Sequence, residues 1–282
     1  MKVSDNVHQI KIEFQVTETV KRYVYSYLII GKKCYLVDAG VVGCKETIKE
    51  YLKELGRSLD DIDAIFLTHA HPDHMGGAAE IVESTDCNIY ISEAERKWVE
   101  DIDTQFKERP IPNFYGLVNK SVLVNKTVKD HDIFSLEAGM TLRVIQSTGH
   151  SFGSVSYLWE EKGVLFSGDA IPNLNDLPIL VDMEASKKTL ERLRNETSIK
   201  FCCPAWDRIY AGTEIVEQIQ RSENFLEKLK VSVQKAEKQY CDNMENEKLS
   251  AICRNMGFEP AMINPLFKRS VLACNRLISM KR

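Results

Sequence analysis

The segment THAHPDHMGG, residues 68–77, holds three of the six histidines of the chain within six positions. These are His69, His71 and His74, and Asp73 precedes the last of them. The segment follows the apolar stretch AIFLT, which predicts a strand, and it ends in two glycines at the start of a predicted helix. Four side chains able to bind a metal therefore converge at a strand's carboxyl end, where α/β proteins commonly form ligand sites. Because histidine and carboxylate are ligands of zinc, iron and manganese, the pattern predicts a metal site.

Two further segments can supply ligands to this site. A catalytic metal keeps one position open for water and needs protein ligands at the others. TGHSFGS carries His150 after the predicted strand TLRVIQ, and FSGDA carries Asp169 after the predicted strand VLF. In each case a glycine precedes the ligand and permits a close approach of the backbone. We therefore expect His150 and Asp169 to join the histidine segment.

Around these segments the chain switches repeatedly between the two-residue period of strands and the 3.6-residue period of helices. Hairpins and crossovers are mixed, which favours two packed mixed sheets with helices outside over a doubly wound parallel sheet. The predicted strands are the alternating run from Ile10 to Val16, YVYSYLII, CYLVD, AIFLT, NIYIS, TLRVIQ, SVSYLW, VLF and KFCC. The predicted helices are KETIKEYLKELG, one after Met75, one from Glu93 and one over Met183 to Leu193.

The end of the chain shows only the helical period, so we predict a catalytic domain over 1–212 and a helical extension over 213–282. Apolar residues three and four apart from Ile215 to Tyr240 indicate one long amphipathic helix. Its stripe either packs on its own domain or forms the seam of a homodimer. Two shorter helices follow, the second with Asn264 as its N-cap.

Composition narrows the class of protein. With 44% hydrophobic and 28% charged residues, the chain is typical of a folded globular protein. Its 37 basic and 41 acidic residues leave a net charge of −4, which offers no broad attraction to nucleic acid or to an anionic membrane. A small-molecule substrate is the better expectation.

Neither an apolar leader nor a long apolar run is present, and the eight cysteines are irregularly spaced, so we expect a cytoplasmic protein with reduced thiols.

The quoted segments resemble the metallo-β-lactamase-fold metallo-hydrolase superfamily, in the branch similar to glyoxalase II and lactonases. THAHPDH resembles the HxHxDH signature, and TGHSFGS resembles the segment of its second histidine. FSGDA resembles the segment of the bridging aspartate, and LVDAG the early strand end. The resemblance covers about residues 10–212 and implies an αββα sandwich, in the α/β class, with the site at one edge.

The resemblance also implies which residues bind metal. His69, His71 and His150 would hold one ion, while Asp73 and His74 would hold a second. Asp169 would bridge the two ions, and Asp38 would hydrogen-bond the histidine loop.

One position departs from the family pattern. In FCCPAWDRIY, Ala205 and Trp206 stand where a Gly-His pair is expected. Indole offers only an N–H donor, so Trp206 cannot replace an imidazole ligand. Three alternatives follow: Asp207 supplies an oxygen ligand, the second site is weak or empty, or Cys203 binds as thiolate. We include Asp207 among the expected ligands.

The resemblance implies hydrolysis. Metal-bound hydroxide would attack an ester, thioester or lactone carbonyl, and Asp73 would orient it or accept its proton. One or two divalent ions are expected. Because the second site has fewer imidazole ligands, it favours iron or manganese over zinc. Two alternatives stay open. One is a redox or oxygen-dependent enzyme with a single iron, and the other is a degenerate, non-catalytic metal-binding protein.

Two other regions allow two interpretations each. The proline- and aromatic-rich segment from Trp98 to Val124 either lines a pocket mouth or is anchored by its own rings. The chain beyond Met262 has five basic residues and no acidic one. It forms either a solvated helix face or a site for an anionic group such as a glutathione or CoA moiety. The basic residues are Lys268, Arg269, Arg276, Lys281 and Arg282.

Overall fold

The computed structural model describes residues 1–18, 20–241 and 243–280, with the side chains of 277–280 excepted. Within these residues, two sheets of seven and six strands stack face to face, and helices cover both outer faces. These are the two packed sheets that the sequence pattern favoured, and the arrangement is the αββα sandwich that the family resemblance implied. No helix in the described ranges is long and apolar enough to cross a membrane.

The first sheet holds the amino-terminal strands in chain order. They are β1 (Lys2–Ser4), β2 (Val7–Gln15), β3 (Lys21–Ile30), β4 (Cys34–Val37), β5 (Ile62–Phe66), β6 (Asn88–Ser92) and β7 (Lys126–Val128). Pairing is antiparallel from β1 to β4 and parallel from β4 to β7. The parallel part brings several strand carboxyl ends to one edge of the sheet.

The second sheet is also in chain order. Its strands are β8 (Ile133–Glu137), β9 (Met140–Gln146), β10 (Val155–Trp159), β11 (Val164–Gly168), β12 (Phe201–Pro204) and β13 (Tyr210–Ala211). Among the described strands of this sheet, only β11 and β12 pair in parallel, and the chain between them forms a crossover that contains a helix.

The helices include several short ones near the predicted site. They are α1 (Cys44–Glu54), α2 (Pro72–Met75), α3 (Ala78–Thr85), α4 (Glu93–Glu100), α5 (Ile102–Glu108), α6 (Phe114–Leu117), α7 (Met183–Asn195), α8 (Thr213–Gln239), α9 (Glu245–Met256) and α10 (Pro265–Met280).

Strand alternation explains the layers of the core. In β3, Leu28 packs towards α1, while its neighbours Tyr27 and Ile29 face the second sheet. In β4, Leu36 and Val37 divide in the same way. Because successive side chains point to opposite faces, a strand that is buried on both sides reads as a continuous apolar run.

The helical extension packs on its own chain. The stripe of α8, including Ile219, Leu226 and Val233, joins one buried cluster with α7 and with the outer face of the second sheet. This is the first of the two alternatives for the stripe. Asn264 caps α10 as predicted, because its Oδ1 accepts hydrogen bonds from the backbone N–H groups of Leu266 and Phe267. The division at residue 213 and the homodimer stay predictions.

Candidate metal centre

Six of the seven predicted ligands follow the carboxyl ends of three strands. The loop after β5 and the short helix α2 carry the histidine segment, residues 69–74. The loop after β9 carries His150, and Asp169 directly follows β11. The fold thus gathers at one edge side chains that lie far apart in the sequence.

Two glycines allow the ligand loops to approach their neighbours. Gly149 has a φ of 126°, and a Cβ there would lie 2.4 Å from the backbone nitrogen of Ser186. Gly168 has a φ of 52°, and a Cβ there would lie 2.5 Å from Oγ1 of Thr68. No other residue fits either place without displacing its neighbour, which confirms the role predicted for both glycines.

Three imidazoles converge at the centre of the site. Nδ1 of His71 lies 2.9 Å from Nε2 of His69 and 2.9 Å from Nε2 of His150. His69 and His71 are buried, and His150 is nearly so. Unprotonated ring nitrogens facing one another repel, so three of them in a dry place fit a shared cation. The first predicted ligand group is therefore assembled.

The outer hydrogen bonds set which ring nitrogen faces the centre. Nδ1 of His150 lies 2.9 Å from the backbone oxygen of Ile179, which can only accept, so Nδ1 carries the hydrogen. Nδ1 of His69 lies 3.0 Å from Oγ1 of Thr68, and that hydroxyl donates to Asp38. Nε2 of both His69 and His150 is thereby left with a free lone pair, as metal ligation requires.

A second group forms beside the first from His69, His74 and Asp169. Nε2 of His74 lies 3.4 Å from Oδ1 of Asp169, and both atoms are buried without a hydrogen-bond partner. Asp73 stands farther out, with its Oδ2 3.8 Å from the same nitrogen. Because Nδ1 of His74 donates to Asp38, a lone pair of Nε2 faces a carboxylate oxygen. Such a pair of acceptors calls for a cation or a proton between them.

The electrostatics of the two groups differ. Burial lowers the pKa of His69 and of His71 well below the ordinary value, and it also lowers the pKa of His150. These rings are therefore neutral and able to ligate at neutral pH. Burial acts in the same direction on His74, but nearby carboxylates, Asp169 foremost, outweigh it and raise its pKa well above the ordinary value. The second group thus concentrates negative charge that attracts a cation.

Asp38 supports the histidine loop, as predicted. Its Oδ1 accepts from the backbone N–H of Thr68 at 2.8 Å, and its Oδ2 accepts from Nδ1 of His74 at 2.8 Å. Its φ is 62°, a left-handed conformation that aspartate tolerates better than most residues. The carboxylate fixes the ring of His74 and the start of the loop together.

Glu95 is a supporting residue that the sequence interpretation missed. It lies on α4 and is only 2% exposed. Its carboxylate accepts from the backbone N–H of Ala70 at 3.1 Å, from that of Gly153 at 2.8 Å, and from the hydroxyl of Ser151. It therefore joins the two loops that carry the first ligand group. The sequence feature that could have identified Glu95 is its position four residues before Val99, which places it on the apolar face of the helix.

The place of the expected last histidine is taken by Trp206. Contact with its side chain lowers the pKa of Asp169, adding to the larger influence of His74 and His150, which together overcome the opposing effect of burial. Asp207 lies outside both ligand groups, and its Oδ2 accepts a hydrogen bond from the hydroxyl of Tyr210. The geometry gives no support to Asp207 as a ligand, and that assignment stays a prediction.

The thiolate alternative also lacks support. Cys203 points into the core between the two sheets, whereas Cys202 points to the opposite face. Burial raises the pKa of Cys203 well above its ordinary value and that of Cys202 to about 12. Both thiols therefore stay protonated.

A cavity of about 240 Å³ opens over the ligands. His71, Asp73, His150 and Asp169 lie in its polar part, while most of its walls are apolar. The wall residues include Phe14, Ile111, Leu117, Ile171, Leu177 and Trp206. A mostly apolar cleft with a few convergent polar groups is typical of a small-molecule site.

Both interpretations of the segment from Trp98 to Val124 hold for different residues. Ile111, Pro112 and Leu117 line the cavity. Phe106, Phe114 and Tyr115 instead pack on one another, with ring centroids 5.1–5.2 Å apart. The three rings anchor the segment, while Ile111, Pro112 and Leu117 face the site.

Comparison with known proteins adds an independent line of evidence. The model of the metallo-beta-lactamase superfamily matches residues 19–199. A probable metallo-hydrolase of Methanocaldococcus jannaschii is 31% identical over 193 residues, which cover 66% of this chain and 85% of that protein. A hydroxyacylglutathione hydrolase of Halorhodospira halophila is 32% identical over 108 residues, which cover 38% of this chain and 32% of that protein.

A solved structure shares the architecture over the whole chain. It is that of a metallo-beta-lactamase family protein from Thermus thermophilus, with a TM-score of 0.78 and 17% identity. The superposition covers 99% of this chain and 95% of that one. At this identity the likeness shows the fold alone.

Proposed function

The chain belongs to the metallo-β-lactamase superfamily, and from this premise we propose that it hydrolyses a carboxylic ester, a thioester or a lactone with the help of a divalent metal ion. Membership supports metal-dependent hydrolysis in general. We infer in addition that the bond cleaved joins a carbonyl carbon to an oxygen or sulfur leaving group.

One observation carries the proposal: three buried imidazole nitrogens converge beside a carboxylate whose buried Oδ1 has no hydrogen-bond partner. His69, His71 and His150 would hold one ion, and His74 with Asp169 would hold or share a second. When bound, a divalent ion in such a site acts as a Lewis acid and lets water ionise near neutral pH.

The remaining chemistry belongs to the chain's own residues. Asp73 lines the cavity beside the ligands, with 21% of its side chain exposed. It can therefore accept the proton of an attacking water molecule. Phe14 and Trp206 form apolar walls that hold an acyl group and exclude bulk water.

The substrate class rests on cavity size, charge and one relative. A cavity of about 240 Å³ with apolar walls suits a small acyl compound rather than a polymer. The net charge of −4 gives no general attraction to nucleic acid. The name of the Halorhodospira halophila relative describes hydrolysis of an acyl group carried by glutathione.

The test combines metal analysis with a substrate panel. We expect the purified protein to contain zinc, iron or manganese and to hydrolyse p-nitrophenyl acetate, an acyl thioester and a γ-lactone at unequal rates. Chelation should abolish turnover, and adding back single metals should restore it to different extents. Asp73→Asn should lower kcat by at least tenfold while the first ion stays bound.

The same measurements separate the alternatives. A protein isolated metal-free from metal-replete medium, with no turnover of any panel member, would contradict the proposal and favour a degenerate binding protein. One iron per chain, with oxygen consumption and no hydrolysis, would favour the single-iron redox enzyme.

A further inference from the structure

Arg109 is a buried charge without a partner. Its side chain lies in the wall of the cavity and the residue is only 5% exposed. Nη1 of its guanidinium has no hydrogen-bond partner, and in the described part of the chain the guanidinium forms no ion pair. A buried guanidinium left unpaired is costly, so such an arrangement points to a missing anion.

The nearby carboxylates do not fill this role. Glu95 already accepts hydrogen bonds from Ala70, Ser151 and Gly153 through its two oxygens. Asp73 and Asp169 influence Arg109 only from a distance, and they face the ligand groups. The protein therefore holds, in the wall of the cavity, a guanidinium with an unused donor at Nη1.

A second guanidinium adds to the positive potential. Arg269 of α10 donates to the backbone oxygen of Glu108, the residue before Arg109. Burial first, and Arg269 to a smaller degree, lower the pKa of Arg109 to about 10, against the opposing effect of Asp73. Arg109 is thus still charged at neutral pH. Arg269 is one of the five basic residues noted beyond Met262, and its charge acts on this side chain. Lys281 and Arg282 of that set lie outside the described residues.

Resting on the proposed function, we propose that Arg109 binds an anionic group of the substrate, a carboxylate, so that the preferred substrate is the ester or thioester of a dicarboxylic acid. The scissile carbonyl lies at the ligand groups and the free carboxylate at Arg109, both facing the same cavity. A carboxylate can bind the planar guanidinium through two parallel hydrogen bonds, which sets the orientation of the acyl chain.

The decisive comparison uses pairs of esters that differ only by a carboxylate in place of a methyl group. The pairs are p-nitrophenyl hemisuccinate with p-nitrophenyl butyrate, and p-nitrophenyl hemiglutarate with p-nitrophenyl pentanoate. The metal-loaded protein should show a kcat/KM at least tenfold higher for the anionic member of at least one pair. Arg109→Gln should reduce this preference at least tenfold, mainly through KM.

Two further variants keep the test decisive. Arg109→Lys retains the charge without the paired donors, so its preference should fall between those of the wild type and Arg109→Gln. Should Arg109→Gln fail to fold, a preference in Arg109→Lys equal to that of the wild type would overturn the proposal.

Arg22→Gln is the matched control, because Arg22 also lines the cavity but already pairs with Asp176. An equal loss of preference in Arg22→Gln would show that the general potential acts, and it would also overturn the proposal.

Direct binding separates this inference from the proposed function. Calorimetric titration of the metal-loaded protein should give an affinity for glutarate at least tenfold higher than for butyrate. Arg109→Gln should remove that difference. If no ester is hydrolysed but the glutarate result holds, the hydrolase proposal fails and the anion site stands. If esters are hydrolysed with no preference in either assay, the anion site fails alone.

Discussion

At the scale of single residues, the protein holds the three imidazoles of the first group unequally. His69 and His150 each have Nδ1 in a hydrogen bond, to Thr68 and to the backbone of Ile179. The outer nitrogen of His71, Nε2, is buried and has no hydrogen-bond partner in the described ranges. Its ring is therefore held by packing and by the atoms around Nδ1. We expect the binding of the ion and the position of the His71 ring to depend on each other more strongly than they do for His69 or His150.

Replacing His71 therefore tests the first group. His71→Ala should remove the tightly bound ion and abolish hydrolysis, because a catalytic ion with three imidazoles loses affinity steeply when one goes. His131→Ala is the control, since the His131 side chain is 71% exposed and lies outside both groups. Elemental analysis should show wild-type metal content in the control only. Full occupancy in His71→Ala would falsify the assignment.

The place of the last histidine gives a second test. Asp207 bonds with Tyr210, so from this geometry we expect Asp207→Ala to leave metal stoichiometry unchanged. Trp206→His should raise affinity for a second ion, because it adds an imidazole beside Asp169. Competition with a chromogenic chelator measures both. Release of one ion by Asp207→Ala would instead support the sequence-based assignment of Asp207 as a ligand.

At the scale of elements, α4 braces the ligand loops. Glu95→Ala should lower the free energy of unfolding by at least about 2 kcal/mol, because it leaves buried donors of Ala70, Ser151 and Gly153 unpaired. Metal affinity should fall by roughly 10–100-fold, as for other losses of supporting hydrogen bonds. Glu93→Ala, on the exposed side of the same helix, is the control. Urea unfolding and metal titration should separate the two variants. Equal behaviour would count against a bracing role.

The sequence predicts the elements that carry strong periodic patterns. Buried strands such as β5 and the long helix α8 were identified because their apolar residues repeat at the strand or helix period. The helices α5 and α6 were missed because each is too short to show a helical period, and the ring contacts that anchor them join one helix to the other. The short strands β1, β7 and β13 were missed for the same reason. The strand β8 was missed although it is longer, because its side chains are all exposed or half-buried.

The residues of the site were likewise predicted only in part. Ligand residues stand out because histidine is rare and local spacing is informative. Glu95 accepts hydrogen bonds from residues distant in the sequence, and Arg109 reaches the cavity only in the folded chain, so no single segment reveals either residue.

At the scale of the whole molecule, the helical extension shares a core with the rest of the chain. Leu226 on α8 is fully buried in the cluster that includes residues of the second sheet. Leu226→Ala should lower the free energy of unfolding by about 2–5 kcal/mol. Val216→Ala, at a position 51% exposed on the same helix, should change it by no more than about 0.5 kcal/mol. Equal values for the two would contradict the packing.

Fluorescence and circular dichroism transitions that coincide would show one cooperative unit, whereas separate transitions would support the predicted domain at 1–212.

The cavity joins the two ends of the chain, since Phe14 and Leu266 both line it. This arrangement sets an order of events during translation. The histidines and aspartates of both ligand groups have been synthesised once the ribosome passes Asp169. At about 5–20 residues per second, Leu266 follows roughly 5–20 s later. A nascent chain therefore carries its metal ligands before the last wall of the cavity exists. We therefore expect a metal ion to be able to bind before the cavity wall at Leu266 is in place, and selection among substrates only once that wall has formed.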